Sequence, residues 1–268
     1  MFIYMAKHKL AQSINDDSRA EHYLKVFENS RFDDWNRFHS CVDNLEGIVL
    51  THFPENKPLM KLVGSSATGT MRYKSEDLDF AVAFQNPMSN EEFLSRIKET
   101  DLNITKFKQN KKYGYIKISG RQGGMEFVLV PMRHPNGHIQ TYEQDAFYHP
   151  DFINMHKSAS HARNVILMKE FFEQIRVYKE VKGISCEMMA LHFREFDAML
   201  NHFARNDSLR INFSPKNLTY SKDPLIIDYP FLGGRSFTDK VTVEMYEHIQ
   251  ESARRVIEDY RFLHIKQK

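Results

Sequence analysis

The chain has little cysteine, one tryptophan and no long apolar run. Its two cysteines, Cys41 and Cys186, make neither a disulfide framework nor a zinc-ligand pattern. A reducing, cytoplasmic compartment is therefore expected. No stretch approaches the roughly 20 apolar residues of a membrane span, so no membrane partner is expected either. The opening Met-Phe-Ile-Tyr-Met is too short, and wrongly flanked, for a secretory signal. A strong charge of one sign is also missing: 37 Lys and Arg face 35 Asp and Glu, a net charge of +2. That excludes a global polycation, and contact with nucleic acid would need a local basic patch. There is no internal repeat and no low-complexity segment. What remains is 268 residues, 41% of them hydrophobic, enough for one large or two modest cores.

Periodicity divides the chain into a mixed first half and a helical second half. Trp35, Phe38, Val42, Leu45, Ile48 and Val49 recur at helical spacing, with Asp33 or Asp34 to cap a helix over about 33–50. Leu59–Val63 and Leu78–Phe84 read as strands, and Ser89 caps a helix reaching about Glu99. Residues 113–118 and 125–130 read as hairpin arms around a turn at Gly120–Gly124. Lys106, Lys108, Lys111 and Lys112 precede the hairpin as either a solvated edge or an RNA-backbone contact. Residues 134–161, with five histidines in no compact zinc spacing, read as an interdomain linker. Helices then follow over about 161–178, 185–203 and 242–263. The predicted fold class is α+β. A catalytic domain with N-terminal helices would span 1–135 and a helical domain 136–268, with a cleft between them.

The chemistry concentrates in 63–84, VGSSATGTMRYKSEDLDFAVAF. Side chains alternate along a strand, so Asp77 and Asp79 share one face while Leu78, Phe80, Val82 and Phe84 point into a core. Ala81 and Ala83 continue the carboxylate face with little bulk. Paired carboxylates suit hard cations, and a Gly-Ser turn such as Gly64-Ser65 can set N–H groups and a hydroxyl against phosphate oxygens. Together they suit metal-assisted phosphoryl or nucleotidyl transfer.

In order, spacing and strand context the stretch resembles the signature of polymerase-beta-type nucleotidyltransferases. The segment 165–193 is similar to the central-domain helices of archaeal-type (class I) CCA-adding tRNA nucleotidyltransferases, with Lys169, Tyr178 and Lys182-Gly183-Ile184-Ser185 at matching positions. PLIIDYPFLGGRSF places Arg235 at that family's arginine, and His149 resembles its histidine. The resemblance implies two Mg²⁺ ions, or Mn²⁺, held by Asp77, Asp79 and a third carboxylate. It implies that Gly64 and Ser65 bind the β- and γ-phosphates, that Lys169 and Tyr178 clamp the triphosphate, and that Arg235 and His149 contact base or phosphates. The expected reaction adds CMP or AMP from CTP or ATP to an RNA 3′ end, with tRNA as the family acceptor.

The sequence departs from that pattern in two places. The third carboxylate belongs three residues before Pro131, where Val128 stands. Glu126 lies on the same face, displaced by about 6.6 Å. Either a bulge brings Glu126 in as the third ligand, or metal binding rests on Asp77 and Asp79 alone. The chain also ends where the family's tRNA-gripping domains begin. Two alternatives therefore stand beside RNA extension: synthesis of an oligo- or cyclic nucleotide, and a catalytically dead nucleotide- or RNA-binding module.

Overall fold

A computed structural model describes residues 18–73, 77–86, 88–110, 115–135, 141–213, 222–228, 230–231 and 236–264. The fold is α+β. Strands β1 (Pro58–Val63), β2 (Asp77–Phe84), β3 (Asn103–Asn110), β4 (Tyr115–Gln122) and β5 (Met125–Arg133) form one sheet in the order β1-β2-β5-β4-β3. β2 and β5 run parallel; the other neighbours are antiparallel. Helix α1 covers 18–30, α2 Trp35–His52, α3 Gly64–Thr68 and α4 Asn90–Ile97. The second half holds α5 (Tyr142–His156), α6 (His161–Gln174), α7 (Tyr178–Val181), α8 (Gly183–Phe193), α9 (Phe196–Arg205) and α10 (Val243–Glu258). A short parallel pair, β6 (Leu209–Ile211) and β7 (Leu225–Ile227), joins them.

One face of the sheet is covered because the sequence supplies amphipathic partners. Asp34 caps α2 by accepting from the Arg37 N–H, and Phe38, Cys41, Leu45 and Val49 are its buried stripe. Ser89 caps α4 through the Glu92 N–H, with Glu91 and Glu92 favourably placed at its positive end. These helices pack on Leu78, Phe80, Val82 and Phe84, the core-facing half of β2. The second core gathers Met168, Phe172, Met189, Phe203 and Tyr246 from α6, α8, α9 and α10. Residues 18–30 join that helical core: Tyr23 and Val26 are buried in it, and Arg19 donates to the Ile257 carbonyl at 2.8 Å.

Four sequence expectations change in the structure. The expected linker at 134–161 contains α5, opened by a capping box between Thr141 and Gln144. Pro150 costs α5 one N–H donor without ending it. The 185–203 helix is two helices, because Arg194 takes φ 65° and breaks a continuous apolar pattern. The helix expected over 161–178 stops at Gln174, and Tyr178 starts a separate short turn. The hairpin is tighter than expected: β4 runs through Gly120 and turns at Gly123-Gly124. Of the basic stretch ahead of it, Lys106 and Lys108 lie on the edge strand β3, while Lys111 and Lys112 lie outside the described residues.

A buried polar network joins the two halves. Glu187 on α8 accepts from Thr68 at 2.8 Å and from Thr70, and lies 2.8 Å from His161 Nε2. Lys169 on α6 donates to the Thr70 carbonyl at 2.8 Å. Arg72 pairs with Glu170 at 3.2 Å and with Glu173, and its guanidinium covers the Tyr178 ring at 4.8 Å. Burial pushes the Glu187 carboxyl up, but the His161 hydrogen bond and the Lys169 charge outweigh it and hold it below its ordinary value. Its stabilisation is therefore full above pH 4.5 and lost as pH falls below that. Glu187→Gln should cost about 2 kcal/mol at pH 7, with a smaller gap at pH 4, as read from denaturant melts at both values.

Candidate active site

Strand register builds the floor of a cavity. Val63, the last residue of β1, is the Cα partner of Asp79 on β2. The next residue, Gly64, therefore turns beside the Asp79 carboxylate. Gly64 has φ +65°, and a Cβ there would lie 2.9 Å from Asp79 Oδ2. Only glycine meets both constraints without a shift. Gly64, Ser65, Asp77 and Asp79 line one cavity of about 620 Å³, within the range of about 300–1,000 Å³ typical of ligand sites.

The opposite wall comes from the helical half. Lys169, Tyr178, Lys182 and Gly183 line the same cavity, and Gly183 opens α8. A Cβ on Gly183 would meet Tyr178 Oη at 3.0 Å and Lys169 Cε at 3.4 Å, so its bareness lets both side chains approach the helix N-terminus. That end of α8 carries a partial positive charge beside two lysines. Burial pushes the Tyr178 phenol well above its ordinary range, which keeps it a hydroxyl donor. His149 on α5 also lines the cavity, 2.5 Å from Asp145 Oδ2 and edge-on to Phe237 at 5.4 Å. Asp145 in turn accepts from the Phe231 N–H at 3.2 Å.

Of the residues singled out from sequence, Gly64, Ser65, Asp77, Asp79, His149, Lys169 and Tyr178 line this cavity. Glu126 is not among the lining residues. It is the Cα partner of Asp77, exposed, and paired with Arg121 at 2.6 Å. Val128 lies opposite Asp79, and the β2–β5 pairing passes this point without a shift. Among the described residues, no group of three or more His, Cys, Asp or Glu is placed to hold a metal. Arg235 lies outside the described residues. Sequence reasoning assigned no role to Lys117, Glu187 or Phe237, all of which line the cavity. Lys117 had a local signal: it sits between the buried Ile116 and Ile118, so alternation turns it to the carboxylate face.

The Asp77–Asp79 pair fits a hard divalent cation, because two like charges share one wall and Lys117 balances them only in part. Burial raises the Asp79 carboxyl from 3.8 to about 6; the Asp77 charge adds to the rise, and the Lys117 charge opposes it. A raised carboxylate pKa means that ionised Asp79 costs stability above pH 6, and that this cost vanishes below pH 3.8. Without divalent ions, Asp79→Asn should stabilise the protein at pH 7.5 by about 1–2 kcal/mol after allowance for solvent screening of a half-buried group. The gap should close toward pH 4 in thermal melts, and Mg²⁺ should raise the melting temperature of the parent but not of the variant.

No family model and no curated protein sequence matches the chain. Solved structures of Cid1 poly(U) polymerase and of CdnC share its fold. Cid1 poly(U) polymerase bound to MgGTP superposes with a TM-score of 0.73 at 13% identity, over 92% of this chain and 98% of that one. Cid1 in complex with its short product ApU gives 0.73 at 12%, over 94% and 99%. CdnC of E. coli MS115-1, in its complex with HORMA-deltaN, gives 0.64 at 14%, over 88% of each chain. At these identities the likeness is one of fold. The finer resemblance to CCA-adding enzymes stands on the sequence segments alone. No helix among the described residues is long and apolar enough to cross a membrane.

Proposed function

We propose that the chain is a template-independent nucleotidyltransferase that transfers a nucleotide from an NTP to an RNA 3′ end. One observation carries the reading: the Gly64–Asp79 contact faces Lys169, Tyr178 and Lys182 across a single cavity. A carboxylate wall for a cation thus stands opposite a basic wall for phosphates. The acceptor 3′ oxygen forms a bond to the α-phosphorus, the bond to the bridging oxygen breaks, and pyrophosphate leaves with the electron pair. The hydroxyl proton passes to solvent.

In this reading Gly64 and Ser65 hold the β- and γ-phosphates, and Lys169 and Tyr178 grip the triphosphate from the helical side. His149, fixed by Asp145 and Phe237, faces the base. Mg²⁺ held by Asp77 and Asp79 would supply charge neutralisation for the triphosphate. CTP and ATP as donors, and tRNA as acceptor, rest on the likeness of residues 165–193 to class I CCA-adding enzymes. The Cid1 structures, one solved with a UTP analogue, make UTP a donor to test beside them. A second reading, a nucleotide-binding module without turnover, is favoured by Val128 at the third-carboxylate position.

The test incubates the protein with Mg²⁺ or Mn²⁺ and each labelled NTP, with and without a mixed small-RNA pool. RNA lengthened by one or a few nucleotides is the expected product. Asp79→Ala should reduce incorporation by at least a thousandfold with an unchanged circular dichroism spectrum, and an unaffected rate would overturn the assignment. A small soluble product made without RNA moves the reaction to oligo- or cyclic-nucleotide synthesis. NTP binding without any product establishes the binding module.

A further inference from the structure

The positions around Asp79 on its own sheet face are set by register. Val63 is its partner on β1, Val128 its partner on β5, and Ser119 on β4 pairs with Val128. None of them carries a carboxylate, and Val128 is only 5% exposed. Glu126, one alternation back, is held by Arg121 at the end of the strand. What the sheet does turn toward the carboxylates is a cation: Lys117 lines the same cavity as Asp77 and Asp79 and acts electrostatically on Asp79. Among the described residues, this sheet face therefore offers two negative charges and one positive charge. A pair of divalent ions there would lack a third anionic ligand and would meet an ammonium group. One divalent ion against that wall leaves a net charge of +1, and the triphosphate becomes its remaining anionic ligand.

We infer that the cleft takes one divalent cation rather than two, held by Asp77 and Asp79 on the triphosphate side, with the Lys117 ammonium supplying the positive charge on the acceptor side. This rests on the nucleotidyltransferase reading and departs from the third-carboxylate pattern of that family. Lys117 donates a hydrogen bond to the acceptor oxygen. It cannot accept the hydroxyl proton while charged, which leaves that proton to water.

The experiment is electron paramagnetic resonance of the full chain with Mn²⁺ and α,β-methylene-ATP. Two Mn²⁺ about 3.5–4 Å apart are exchange-coupled, whereas a lone ion is not. The parent chain should show the uncoupled spectrum of one bound ion. Val128→Asp, which puts a carboxylate beside Asp79, should show the coupled pair. A coupled pair in the parent chain overturns the inference, whether or not the Val128→Asp variant folds. Lys117→Met should keep the uncoupled spectrum and the affinity for the analogue while lowering RNA-dependent turnover at least tenfold; undiminished turnover removes Lys117 from the acceptor side. If the analogue leaves the Mn²⁺ spectrum unchanged and calorimetry shows no NTP binding, the nucleotidyltransferase reading itself fails. That outcome is distinct from a coupled pair.

Discussion

The site depends on one close approach, the Gly64 backbone against the Asp79 carboxylate. Antiparallel pairing of β1 with β2 puts Val63 beside Asp79, and the chain must then leave the strand at once, with positive φ and no Cβ. Every other feature of the carboxylate wall follows from that register. The apolar half of β2 packs on α2 and α4 and fixes the strand's rotation, so Asp77 and Asp79 turn to the cavity. A one-residue slip would send both carboxylates into the core and bring Leu78 and Phe80 out.

The second wall depends on the buried network between the halves. Thr68 and Thr70, just beyond the Gly-Ser turn, hold Glu187 and Lys169. Glu187 is nearly inaccessible, so each donor it loses leaves a charge in a dry interior. The same network brings α6 and the start of α8 to the cavity. Lys169 bonds to Thr70 and lines the cavity at once.

Much of the site was legible in local pattern. Gly64, Ser65, Asp77 and Asp79 were read from order and alternation, and Lys169, Tyr178 and His149 from resemblance; all of them line the cavity. The α5 helix was legible through its Thr141–Gln144 capping box, but the histidines and Pro150 masked that signal. The break at Arg194 left no pattern to read, because an arginine with φ 65° has no composition mark. Lys117 showed the right alternation, yet nothing local said which strand would lie between it and the carboxylates.

By itself the sequence determined which side chains share a strand or helix face, since a two-residue or 3.6-residue period is a property of the local backbone. That placed Asp77 with Asp79 and gave α2 its buried stripe. Tertiary structure alone decided what stands across from them. The pairing of β2 with β5 set Val128, and not Glu126, beside Asp79. The packing of the halves brought Thr70 to Lys169, 99 positions away. Neither follows from local periodicity, because register and long-range contact are settled by the summed burial of residues far apart in the chain.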